Sequence, residues 1–137
     1  MIETDKTVRL SDGRTLSYTE CGDPAGAPVF FLHGTPGSRL LGTGLHPDAV
    51  SCKVRLISPD RPGYGNSTFR RSSLVEYVND LVQLADALAL GHAREALGDR
   101  RCASGRERTA ARNANNSKAP KCQRIGELHK VVHVFDE

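Results

Sequence analysis

The residues best suited to chemistry form the run His33-Gly34-Thr35-Pro36-Gly37, directly behind the apolar run Val29-Phe30-Phe31-Leu32. Glycine lets a backbone turn sharply and lets a ligand approach it closely. Proline fixes the turn and removes one competing N–H. Such a loop can aim a backbone N–H, here that of Thr35, at a developing negative oxygen, which is what an oxyanion hole requires. The same residue types also suit an ordinary tight turn between a strand and a helix. A second Gly/Pro-rich loop, Asp60-Arg61-Pro62-Gly63-Tyr64-Gly65 with Ser67 just beyond, follows the apolar run Val54-Arg55-Leu56-Ile57-Ser58.

Both loops need strands that end where they begin. Thr7–Leu10 and Arg14–Cys21 alternate apolar and polar residues around the turn signal Asp12-Gly13, which predicts an antiparallel hairpin. Val29–Leu32 does not alternate, as expected of a strand covered on both faces. A short helix is expected over Ser38–Ala49, interrupted by Gly42 and Gly44. Ser73-Leu74-Val75-Glu76 reads as a capping box. Leu74, Val78, Leu81, Ala85 and Leu88 follow it at helical spacing, and Gly91 suits the stop. Strands and helices in this alternation predict an α/β fold with a mostly parallel sheet. In such sheets, ligands bind at loops leaving the carboxyl ends of the strands.

This order of elements, with His-Gly-x-Pro-Gly-Ser-Arg after one strand and Asp-Arg-Pro-Gly-Tyr-Gly-x-Ser after the next, resembles the α/β-hydrolase superfamily. It is most similar to the branch of proline iminopeptidases, epoxide hydrolases and small esterases. The resemblance spans residues 7–92 and implies a hydrolase acting on an ester, amide or epoxide bond of a small molecule, without a cofactor or metal. It further implies that Thr35 N–H is an oxyanion donor, with His33 and Gly34 shaping the loop. Asp60, Arg61, Pro62, Gly63, Tyr64, Gly65 and Ser67 would line the active-site rim. Asp60 is better suited to satisfying backbone amides than to moving protons, and His33 to packing the loop than to acting as a base.

Hydrolases of this kind carry their nucleophile on a Gly-x-Ser-x-Gly turn, followed by an acid and a histidine. The 137 residues contain no Gly-x-Ser-x-Gly. Cys102 lies among arginines, which favour a thiolate, but no base is held beside it by sequence. His129 and His133 come late in the chain, yet order alone does not define a triad. No catalytic nucleophile, acid or base is therefore identifiable, and the resemblance alone leaves open whether this chain is an enzyme. It reads as the N-terminal part of a partial hydrolase domain, truncated before the elbow.

The chain changes character near the same point. Residues 1–92 hold 9 Lys/Arg and 10 Asp/Glu, a net of −1, while residues 93–137 hold 10 and 6, a net of +4. From Gly98 to Arg124 there is no Val, Ile, Leu, Met, Phe, Trp or Tyr. With nothing to bury, residues 93–124 are expected to be a disordered basic tail, followed by a short apolar segment at 125–137. Such a tail offers an alternative reading, a non-enzymatic binding protein holding nucleic acid or an acidic surface by charge. The lack of interleaved aromatics argues against nucleic acid. The four cysteines form no CxxC pair and are expected to be reduced thiols in a cytoplasmic protein. No apolar run reaches membrane-spanning length. A half-sheet ending at residues 54–58 would present an unpaired edge and a route to self-association. The abrupt change near residue 92 points to a diverging reading frame or splice pattern. Translating the parent nucleotide sequence in the other frames beyond codon 92, or in an adjacent exon, should yield an apolar strand followed by Gly-x-Ser-x-Gly; the idea fails if neither does.

Overall fold

The structure, a computed structural model, describes residues 2–90. The expected tail, the late apolar segment and the expected helix stop at Gly91 lie outside these residues. Four strands, β1 (Glu3–Arg9), β2 (Thr15–Gly22), β3 (Ala27–Phe30) and β4 (Val54–Pro59), form one sheet in the order β1-β2-β4-β3. β1 pairs antiparallel with β2, β2 antiparallel with β4, and β3 parallel with β4. A 3-10 segment, Arg39–Leu45, leads into α1 (His46–Ser51), and α2 (Leu74–Ala87) follows β4. No described helix is long and apolar enough to cross a membrane.

The hairpin forms where Asp12-Gly13 predicts it, with Leu10 N–H donating to Arg14 O at 2.8 Å and Gly13 N–H to Leu10 O at 2.9 Å. β1 begins four residues earlier than its alternation suggests. The early part, Glu3–Lys6, is held by polar contacts that leave no apolar pattern: Lys6 pairs with Glu20, and Arg39 reaches Thr4 and Asp5. β3 is covered on both faces, as the unbroken apolar run requires. Phe30 and Leu32 pack with Leu16, Ile57 and α2, whereas Val29 and Phe31 pack with Cys21, Ala49 and Leu56. The edge of the described sheet beyond β4 is β3, not residues 54–58. β4 lies between two partners because the chain crosses from β3 through α1 and returns parallel to it, in the place between β3 and β2.

The expected helix at 38–49 is split. Gly42 and Gly44 fall in the 3-10 part, and Pro47 sits in the first turn of α1. The Gly42 backbone is pressed so close to Ser58 that an added Cβ would lie 2.8 Å from its Cβ. Cys21 is a buried free thiol, as expected, and Cys52 is disulfide-bonded, contrary to the expectation of a reduced thiol; Cys102 and Cys122 lie outside the described residues.

The capping box of α2 forms as expected, Ser73 Oγ accepting from Glu76 N–H while the Glu76 carboxylate accepts from Ser73 N–H at 2.7 Å. Its buried face is rotated from the predicted one. Tyr77, Leu81, Leu84 and Ala85 point inward and Leu88 packs beside them, while Leu74 is exposed. Two polar contacts set that rotation. Asp80 is buried and receives both terminal nitrogens of Arg14 at 2.8 and 2.6 Å, and Gln83 Oε1 accepts from Ser11 N–H at 2.7 Å. The helix also stops before Gly91. Leu88 is its cap and Ala89 takes a left-handed conformation with φ 55°. Ala89 N–H donates to Asp86 O and Leu90 N–H to Ala85 O, which is the paired bonding of a Schellman stop. Leu90 then packs against the core. A left-handed alanine costs about 1–2 kcal/mol that glycine avoids. Ala89→Gly should therefore raise stability by about 1 kcal/mol, read as a higher urea midpoint; an unchanged or lower midpoint would contradict this description of the stop.

Candidate active site

The two loops leave the carboxyl ends of the parallel strands β3 and β4 side by side. His33, at the start of the first loop, is buried. Its Nδ1 lies 2.8 Å from Gly34 O and its Nε2 accepts from Arg61 N–H at 3.2 Å. These partners call for the neutral ring with its proton on Nδ1. Arg61 answers with Nε, which donates to His33 O at 3.1 Å. The His33 ring also packs on Tyr64, with centroids 5.5 Å apart. Nε2 thus joins the two loops, while Nδ1 bonds within the first.

Gly34, Thr35 and Pro36 are exposed, and the Thr35–Pro36 peptide is cis. A Cβ on Gly34 would meet nothing within 4 Å, so the space before it is open among the described residues. Gly37 is where the loop folds onto itself, since a Cβ there would lie 2.7 Å from Gly34 O. Thr35 N–H meets no acceptor among the described residues.

The far end of the loop is held by Arg39 and Asp60. Arg39 N–H donates to Asp60 Oδ1 at 2.7 Å and Arg39 Nη1 to Oδ2 at 2.8 Å. Ser17 Oγ donates to the same Oδ2 at 2.7 Å, and Ser17 in turn contacts Ser67 through its N–H and its hydroxyl. Asp60 and Ser67 are both buried, so they lie beneath the expected rim as supports. They point inward because β4 ends against β2, where Asp60 N–H donates to Ser17 O at 2.9 Å. Arg61, Pro62, Gly63, Tyr64 and Gly65 retain solvent exposure. Gly65 has φ 52°, and a Cβ there would fall 2.1 Å from Asp60 Oδ2, so only glycine lets the loop close over the carboxylate. Ser17 and Tyr77 are the residues that the motifs did not reveal. Ser17 is one more polar residue in an alternating strand, and Tyr77, under the Arg61 guanidinium at 5.8 Å, falls off the apolar face that the helical spacing predicts.

Burial pushes the Asp60 carboxyl up, but the bonds from Arg39 and Ser17 outweigh it and hold it below its ordinary value of 3.8. Burial pushes the Tyr77 hydroxyl up. The described residues contain no His/Cys/Asp/Glu group able to hold a metal ion. What the arrangement holds is an exposed Thr35 whose N–H meets no acceptor among the described residues, in a loop joined to its neighbour at both ends.

No family model matches the chain. Curated relatives do. It is 33% identical over 88 residues to a proline iminopeptidase from Xylella fastidiosa, covering 59% of this chain and 27% of that protein. It is 36% identical over 64 residues to a probable proline iminopeptidase from Streptomyces coelicolor, covering 47% and 20%. Among solved structures, an epoxide hydrolase from Vigna radiata superposes with TM-score 0.55 at 30% identity, covering 64% of this chain and 29% of that one. A bromoperoxidase from Bacillus anthracis gives 0.54 at 26% identity, covering 63% and 32%. The chain thus spans about a quarter of the length of the curated relatives it matches.

A depressed carboxylate stabilises the folded state above its ordinary titration range and loses that contribution as pH falls through the lowered value. Stability should therefore drop below about pH 4 more steeply in the natural chain than in Asp60→Asn, in urea midpoints measured from pH 7 downward. Parallel pH curves would remove Asp60 from this role.

Proposed function

Because the described part of this chain belongs to the α/β-hydrolase superfamily, we propose that it is the oxyanion-binding portion of a hydrolase acting on an ester, amide or epoxide bond of a small molecule. The observation that carries this reading is the Thr35 N–H. It is exposed, it meets no acceptor among the described residues, and its loop is anchored at both ends to the loop after β4. In attack on a carbonyl, negative charge gathers on the carbonyl oxygen. A donor already fixed toward that position stabilises the transition state without reorganising. In this superfamily the second donor is the residue after the nucleophile. His33 and Gly34 shape the loop, and Arg61, Pro62, Gly63, Tyr64 and Gly65 form the rim a substrate passes.

The 137 residues supply the donor but no Gly-x-Ser-x-Gly nucleophile. His33 is committed to Gly34 and Arg61 and is not placed to serve as a base. We therefore propose that this chain alone does not turn over substrate. Oxyanion stabilisation without a nucleophile and base retains only a small residue of a hydrolase's rate. Incubation with p-nitrophenyl acetate should give no hydrolysis above background, and a fluorophosphonate probe should leave the chain unlabelled. Robust hydrolysis blocked by the probe would overturn the inactive reading.

A further inference from the structure

We infer that Arg39 is a positioning residue for the Thr35 N–H, and that it works by fastening the loop to the N-terminal strand β1 as well as to Asp60. The inference rests on the oxyanion reading of Thr35 given above. Arg39 follows the loop after Ser38, and its side chain is 7% exposed. Beyond its two bonds to Asp60, its Nε donates to Thr4 O at 2.8 Å and its Nη2 to Asp5 Oδ1 at 3.0 Å. Its backbone and guanidinium therefore hold two separate elements at once. A guanidinium can do this because its donors lie in a rigid planar fork, whereas a lysine ammonium is a compact point charge on a flexible stem.

The geometry of the loop gives these bonds their consequence. His33 fixes one end through Arg61, and Arg39 fixes the other. Between them, the Gly34 carbonyl, which shares a peptide plane with the Thr35 N–H, is bonded by His33 Nδ1 at 2.8 Å. Thr35 and Pro36 have no hydrogen bond among the described residues, so His33 and the anchored ends set the direction of the Thr35 N–H. Asp60 restrains the Arg39 end from beneath. Thr4 and Asp5 restrain it from the side, which also accounts for β1 running on past the alternating residues of the hairpin.

The test uses the full chain labelled with ¹⁵N, comparing the natural sequence with Arg39→Lys and Asp5→Asn. The natural chain should show order parameters near about 0.85 at Gly34, Thr35 and Gly37, falling below about 0.6 in Arg39→Lys. Asp5→Asn should give intermediate values. Leu56 and Ile57 in β4 should keep theirs, which separates positioning from a general loss of structure. Asp5 is 79% exposed, so its variant remains decisive if Arg39→Lys does not fold. Loop order unchanged in Asp5→Asn, or loosened equally in β4, would overturn the inference. Sodium acetate, as a carboxylate probe, should shift the Thr35 amide of the natural chain saturably. Absence of that shift would discard the oxyanion reading, while the order parameters would still decide whether Arg39 anchors the loop.

Discussion

The arrangement of both loops depends on one buried ion pair, Arg39 with Asp60. Asp60 is fully buried and Arg39 nearly so. Burying a charge costs several kcal/mol unless its bonding capacity is met. Here Asp60 accepts from Arg39 N–H, Arg39 Nη1 and Ser17 Oγ, and Arg39 finds further acceptors on Thr4 and Asp5. The pair joins the start of the 3-10 segment to the end of β4, with β2 alongside and β1 behind. Each contact comes from a different part of the chain, so the site is assembled by long-range bonds between short loops, which local turn preferences alone would not fix.

The hydrophobic sheet supplies the frame for that pair. β3 and β4 run parallel, so both loops emerge at one end. Apolar side chains on alternate faces of β3 hold α2 on one side and the α1 region on the other. Rotation of α2 follows from Arg14 binding Asp80, which seats Tyr77 beneath Arg61. The frame and the site are thus connected at a second point, through a cation over an aromatic ring.

Much of this was legible in the residues. The unbroken run at 29–32 marked a strand covered twice, Asp12-Gly13 marked the hairpin, and Ser73 with Glu76 marked a helix start. The two loops announced themselves by glycine and proline. What was not legible depends on contacts between distant residues. The inward turn of Asp60 and Ser67 requires Ser17 from another strand. The true face of α2 is set by Arg14, and its stop at Ala89 by a hydrogen-bond pattern that alanine does not advertise. The sheet edge depends on where β3 pairs, which no local pattern encodes. The relatives support the family but span far more sequence than this chain matches, so the chemistry, the oxyanion role of the first loop included, stands as a proposal.

The central claim is that Arg39 and Asp60 act as one unit holding the loops. A double-mutant cycle on Arg39→Met and Asp60→Asn, with stability read from urea unfolding, tests it most directly. Each single variant strands a buried partner, so each should cost about 3–5 kcal/mol. The double variant should cost little more than either alone, leaving a coupling energy nearly as large as one single cost, on the order of 3 kcal/mol. Costs that add to within about 0.5 kcal/mol would show that the two residues act independently, and would contradict the account.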